Sequence, residues 1–187
     1  TLQKESAALR QALFMFPFLR EIYTAREKEK SGSIQMKLEK MEFEAFRPDV
    51  FQVFHTQNAL LTAGDRQHAN TMTIGWCQLG CIWNLPTCTV YVRPERYTYQ
   101  FMERSDYFTV SVLPKGSQEI MALCGTKSGR EVDKFSACGL TVQYGVGDAP
   151  YPAEAEWVLV CKKLFVQDMA PEFVQDDRIF RSYTTAK

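Results

Sequence analysis

The sequence predicts a mainly-β domain with short helices, a closed antiparallel barrel preceded by a helical appendage. Three observations carry that expectation. Segments rich in β-branched and aromatic residues, such as Thr87–Val92 (TCTVYV) and Tyr107–Val112 (YFTVSV), recur from about residue 37 onward. Such residues suit a pleated, half-buried surface. Short helical patterns interrupt them, and the strands follow one another at near-hairpin spacing. Residues 1–35 have a different texture. There Leu9, Leu13, Phe16, Leu19, Ile22 and Tyr23 recur at three- and four-residue steps, the spacing of an amphipathic helix.

Taken in order, the appendage is expected as two short helices broken at Pro17, since proline cannot continue a helix interior. The polar run Ala25–Ser33 (AREKEKSGS) ends in a flexible Ser-Gly-Ser and marks a boundary. This divides the chain into an appendage, 1–35, and a barrel domain, 36–187. Met36–Phe46 alternates apolar and polar residues, as a strand does. A short turn or helix follows, then a strand at Ala59–Ala63. Thr71–Leu79 (TMTIGWCQL) reads as one strand and the TCTVYV segment as the next. Arg96–Ser105 reads as a helix and Tyr107–Pro114 as a strand. Ser117–Gly129 and Arg130–Gly139 read as helices, the second closed by Gly139. Leu140–Gly145 and Ala155–Met169 are the last strands.

Bulk properties narrow the function. The 187 residues suit one domain of ordinary size, and 45% hydrophobic content can fill a sizeable core. Lys plus Arg and Asp plus Glu both total 22, so no basic excess points to nucleic acid. Zero net charge does little to oppose self-association. The apolar patch Ala12–Leu19 is too short to span a bilayer, and mixed acidic and basic residues beside it disfavour a membrane-surface helix. The six cysteines stand in apolar contexts with no secretory signal, which indicates free thiols in a reducing cytoplasm. Cys77, Cys81 and Cys88 lack the paired Cys-x-x-Cys knuckles of a zinc site, so no metal is expected. No Gly-x-Ser-x-Gly elbow accompanies His55 or His68. No Gly-x-Gly-x-x-Gly fingerprint occurs, which argues against a dinucleotide held in a doubly wound fold.

One stretch carries chemistry. Phosphate monoesters favour guanidinium groups, backbone N–H groups and hydroxyls at a helix start. Arg93-Pro94-Glu95-Arg96-Tyr97-Thr98 offers all three where a strand hands over to a helix. Gly125–Lys134 (GTKSGREVDK) repeats the theme with Lys127, Ser128, Gly129, Arg130 and Lys134. Two such loops suit one anion between them. Asn70-Thr71-Met72-Thr73-Ile74-Gly75-Trp76 adds a strand edge on which a flat heteroaromatic ring could lie, with Gly75 permitting close approach.

Together, the segments NTMTIGW, LGCIWNLPTCTVYVRPERYTYQFME, YFTVSVLP and GTKSGREVDKFSACGLT resemble the flavin reductase-like family of FMN-binding split barrels, its flavoredoxin-type branch in particular. The resemblance covers about Met41 to Asp168. It implies a split antiparallel β-barrel of Greek-key type, non-covalent FMN, a homodimer and redox chemistry. By position it places the FMN phosphate near Arg93, Arg96, Tyr97 and Thr98. It places the ring system along Asn70, Thr71, Met72, Thr73 and Ile74, near Trp76 and Cys77, with Ser128, Gly129 and Lys134 closing the site. The implied activity passes electrons from a reduced donor, NAD(P)H or a redox protein, through FMN to flavin or a small acceptor. An electron carrier without turnover and a barrel that has lost its cofactor are the alternatives. No proton-transferring catalytic residue is assigned. The family's last strand, with its Asp-Tyr-His and Met-Tyr-Ile-Gly patterns, has no counterpart in Asp176–Lys187, so an open barrel edge is expected there.

Overall fold

The computed structural model describes residues 13–30 and 33–184. Among them the strands are β1 (Leu13–Lys30), β2 (Ser33–Met41), β3 (Ala59–Gly64), β4 (Ala69–Ile74), β5 (Cys77–Ile82), β6 (Leu85–Val92), β7 (Tyr107–Val112), β8 (Val142–Tyr144), β9 (Pro150–Pro152) and β10 (Trp157–Asp168). The α-helices are α1 (Tyr97–Arg104), α2 (Gln118–Thr126), α3 (Lys134–Ala137) and α4 (Asp177–Thr184).

Seven strands pair in the order β4-β3-β7-β10-β1-β6-β5, with β2 added on β1, and every pairing is antiparallel. The two ends of that order, β4 and β5, are consecutive in the chain and joined only by Gly75 and Trp76. A two-residue link forces the ends of the sheet together, so the sheet curls into a barrel. No ladder joins β4 to β5 across the seam among the described residues, and the barrel is split there. The Trp76 carbonyl instead accepts the Tyr91 N–H at 3.2 Å.

The central strands β3 and β7 and the Trp157–Cys161 half of β10 are buried almost throughout because both of their faces are covered. One face fills the barrel with Leu61, Ala63, Val110, Val112, Leu159 and Cys161. The other, with Leu60, Val158 and Val160, lies under Met121 and Cys124 of α2, Phe135 of α3 and Tyr151 of β9. Each fully buried Leu or Val on these faces contributes on the order of 1.5–3 kcal/mol.

The N-terminal helices expected from the spacing are not formed over the described part of that segment. Leu13–Lys30 is instead a strand of the main sheet, paired with β10 on one side and with β6, then β2, on the other. The β1–β10 register has two irregularities, and the second explains the misleading pattern. One falls between Phe16 and Pro17, where a proline without an N–H is tolerated. The other falls between Leu19 and Glu21 and advances the alternation by a residue. Leu19 and Ile22, three apart, thereby both reach the core, which imitates helical spacing. The part of the reading that rests on residues 1–12 lies outside the described residues. β1 also covers the side of β10 away from β7, so the edge expected to be open is paired.

Thr71–Leu79, expected as one strand, is two. Gly75 breaks it, because a Cβ there would come within 2.8 Å of Asn58 Oδ1 and 2.9 Å of the Phe54 carbonyl oxygen. α4 and the short β9 carried no signal strong enough to be expected.

Candidate functional site

The site gathers at the β4 side of the seam. β6 ends at Val92, and Arg93–Arg96 turns tightly, the Arg96 N–H donating to the Arg93 carbonyl at 3.1 Å. Arg96 is the N-cap of α1 but its side chain does not cap it, which leaves first-turn N–H groups open. α1 is anchored by Thr98, which is 1% exposed and accepts from Asn70 Nδ2 of β4 at 2.8 Å. Asn70 Oδ1 faces the backbone of Gly129 so closely that no Cβ would fit there. Tyr97 is wedged edge-on against Phe101 at 5.1 Å, with the Arg130 guanidinium 4.7 Å from its ring.

Opposite lies the C-terminal end of α2. Lys134 Nζ donates to the Cys124 carbonyl at 2.8 Å, and Arg96 Nη1 to the Gly125 carbonyl at 3.4 Å. Two cations therefore converge on adjacent carbonyls. Lys134 is 5% exposed, and burial in the first place, with the Arg96 charge acting in the same direction, pulls its pKa below the ordinary lysine value. Its neighbour Asp133 does not neutralise it. That carboxylate instead caps α3, accepting from the Phe135 and Ser136 N–H groups and the Ser136 hydroxyl. Among the described residues neither Arg96 nor Lys134 forms an ion pair with a carboxylate. A positive pair of this kind, with Lys134 buried and neither member neutralised, favours an anion between its members.

Two abutting cavities of about 220 and 100 Å³ share Met72 and Arg96. The larger runs along Thr73, Ile74 and Trp76 to Arg93; the smaller is enclosed by Tyr97, Thr98, Ser128, Gly129 and Lys134. The structure thus brings together ten sequence-predicted residues along one cleft: Met72, Thr73, Ile74, Trp76, Arg96, Tyr97, Thr98, Ser128, Gly129 and Lys134. Arg93 lies at its mouth, 41% exposed, 3.8 Å from Glu95 and 5.2 Å from the centre of the Trp76 ring. Asn70 acts behind the wall. Thr71 is fully buried and accepts from the Thr62 hydroxyl at 3.0 Å, and Thr73 donates to the Met121 carbonyl at 2.6 Å. Cys77 turns into the barrel, its Sγ 3.5 Å from that of Cys88, and lines a neighbouring hollow instead. The carbonyls of Cys124 and Gly125 were missed in the sequence, since backbone acceptors leave no residue signature. β4 ends the strand order, so one side of its backbone is unpaired and faces the seam.

The cysteines are free thiols. Burial raises the pKa of Cys77 and Cys161 well above the ordinary thiol value and pushes Cys124 up to about 12, which makes all three poor nucleophiles. No helix among the described residues is long and apolar enough to cross a membrane.

A family model described as the flavin reductase like domain matches residues 51–170, well over half of the chain. Among solved structures, the chain is similar to an FMN-binding domain of a flavin reductases-like enzyme from Shewanella baltica OS155, at 18% identity over 64% of this chain and 74% of that one, with a TM-score of 0.50. It is also similar to the flavoredoxin of Desulfovibrio vulgaris (Miyazaki F), at 26% identity over 65% and 74% with a TM-score of 0.49. A flavoredoxin from Methanosarcina acetivorans matches at 24% identity over 64% and 72%, also with a TM-score of 0.49. No curated protein matches. The Shewanella likeness is one of fold, the split barrel derived above from the two-residue seam.

Proposed function

The chain belongs to the flavin reductase-like domain family, and from that premise we propose that it is an FMN-binding oxidoreductase, passing electrons from a reduced donor, NAD(P)H or a redox protein, to free flavin or a small acceptor. The observation that carries the reading is the unneutralised pair Arg96 and Lys134 at one end of a cleft whose other end is the free edge of β4. The residues fit FMN. A phosphate between Arg96, Lys134, Ser128 and the opening turn of α1 would receive charge-assisted bonds from both cations, the Glu95 carboxylate of the same lining standing 3.8 Å from Arg93. The ring system would lie along Met72–Ile74, with backbone groups of β4 reading its polar edge and Trp76 flanking it.

FMN supplies the hydride and electron chemistry when bound. The chain's own residues bind and orient. Asn70 and Thr98 fix α1 against β4, Gly129 allows the 128–129 loop to close on them, and Lys134 holds the end of α2 in place. We assign no proton-transferring side chain. The working unit we propose is a cytoplasmic homodimer, supported by exposed apolar side chains at Leu164, Val166 and Phe173 that a second copy would cover. Light scattering over a wide concentration range should give the mass of two chains.

The test is a visible absorption spectrum of the purified protein reconstituted with FMN, followed by NAD(P)H oxidation with and without added flavin. A stoichiometric flavin spectrum with acceptor-dependent NAD(P)H consumption is expected. A protein that stays colourless in excess FMN would overturn the cofactor assignment, and bound FMN without turnover would make the chain an electron carrier.

The two arginines should differ. Arg96→Ala is expected to weaken FMN binding roughly ten- to hundredfold, the usual worth of a hydrogen bond to a charged group. Arg93→Ala should cost less than about tenfold, since its guanidinium already faces Glu95 and Trp76. Flavin fluorescence quenching in a titration reads both, and equal losses would put the phosphate at the cleft mouth instead.

A further inference from the structure

Beyond Trp76 and Gly75 the cleft adjoins a second hollow of about 610 Å³. That volume is within the ~300–1,000 Å³ typical of small-ligand sites. Its outer wall is the six-residue π-helical turn Gln52–Gln57, a conformation rare in proteins and frequent at functional sites. The turn ends at Asn58 with φ 66°, a left-handed conformation costly for a side-chain-bearing residue. Asn58 and Phe54 press on Gly75, which locks this wall onto the same corner that forms the end of the cofactor cleft. Phe54 and Leu79 give an apolar floor, and Phe51, His55 and Trp76 stand at the rim.

The lining contains no Lys, Arg, Asp or Glu. A nucleotide phosphate or other strongly charged group would find no countercharge there, and losing its hydration would be costly. Three aromatic side chains offer faces and edges to a flat ring. The His55 imidazole, the one ring N–H donor besides Trp76, can mark a single acceptor atom. We propose that this hollow binds the chain's small electron-exchange partner, an uncharged planar aromatic molecule with one hydrogen-bond acceptor, and that Phe51 and His55 select it. The role as exchange partner rests on reading the adjoining cleft as the FMN site; the binding site itself does not.

Coumarin, uncharged, planar and bicyclic with one carbonyl, is a suitable probe. It would be titrated calorimetrically into FMN-free and FMN-loaded full-length protein, and into the F51A and H55A variants. Phe51 is 84% exposed and His55 is also exposed, so neither change should disturb folding. Saturable one-to-one binding is expected to both forms of the wild type. F51A should weaken it roughly tenfold and H55A about three- to tenfold, with FMN affinity unchanged in both. The negatively charged 2-naphthoate should bind at least about tenfold more weakly than coumarin. No saturable binding by the wild type, or binding indifferent to both substitutions, would overturn the proposal. So would a drop in oligomeric mass on F51A, which would make the rim an interface between copies. If FMN fails to bind while coumarin still depends on Phe51 and His55, the site stands and the FMN reading falls; the reverse result removes the site alone.

Discussion

The double variant R96A/K134M is expected to bind FMN at least ~100-fold more weakly than the wild-type chain, while its affinity for riboflavin changes little. Each cation makes a charge-assisted contact worth about 1.5–3 kcal/mol to a bound phosphate, and two would give up to roughly 10⁴-fold if they acted independently. They do not act independently. Arg96 and Lys134 are tied to the adjacent carbonyls of Gly125 and Cys124, so losing one lets the other relax. Single variants whose losses sum to something other than the double are therefore expected. Riboflavin lacks the phosphate and isolates it from general damage. Met keeps the aliphatic stem of Lys134 in its buried slot, but it leaves the Cys124 carbonyl without its donor. A modest fall in melting temperature is expected alongside. Equal losses for FMN and riboflavin would mean that the two cations shape the cleft without holding a phosphate.

The residues of this site were legible to different degrees, for physical reasons. Arg93, Arg96, Ser128 and Gly129 could be read because guanidinium, hydroxyl and glycine at a strand-to-helix turn already state a chemistry. The sequence could not rank Arg93 against Arg96. That depends on where α2 ends in space, which puts the Gly125 carbonyl beside Arg96 and leaves Arg93 to Glu95 and Trp76. Lys134 was picked out as a basic residue of its loop beside Lys127 and Arg130, and its burial could not be read. It is buried because Asp133 begins α3 there and turns the next side chain inward onto α2. Cys77 was placed with the ring system by continuity from Asn70. Gly75 breaks the strand, and that continuity fails. The central strands were legible because runs such as Trp157–Cys161 are buried on both faces and have no other use in a chain of this composition. The fate of Leu13–Lys30 was not, because a register shift between Leu19 and Glu21 turned a strand's alternation into a helix-like spacing.

Ile22→Ala is expected to destabilise the protein by about 2–5 kcal/mol, the usual cost of emptying a buried aliphatic site. This follows only if β1 belongs to the sheet. Ile22 is 3% exposed, lies opposite Leu159 of β10 and Met41 of β2, and joins the cluster that holds Trp157 and Leu159. On a detachable appendage the same change would shift stability by no more than about 0.5 kcal/mol. Urea denaturation followed by tryptophan fluorescence decides between them, provided the slope of the transition is unchanged. The larger form of the experiment deletes residues 1–30. That removes the strand between β10 and β6 and leaves both neighbours with open edges, a row of unpaired N–H and C=O groups beside freshly exposed apolar core. The truncated chain should aggregate or fail to melt cooperatively, at any FMN concentration. A soluble, cooperatively folding 31–187 fragment would show that β10 and β6 can do without β1. The barrel would then close some other way, and the segment would be the appendage that its apolar spacing first suggested.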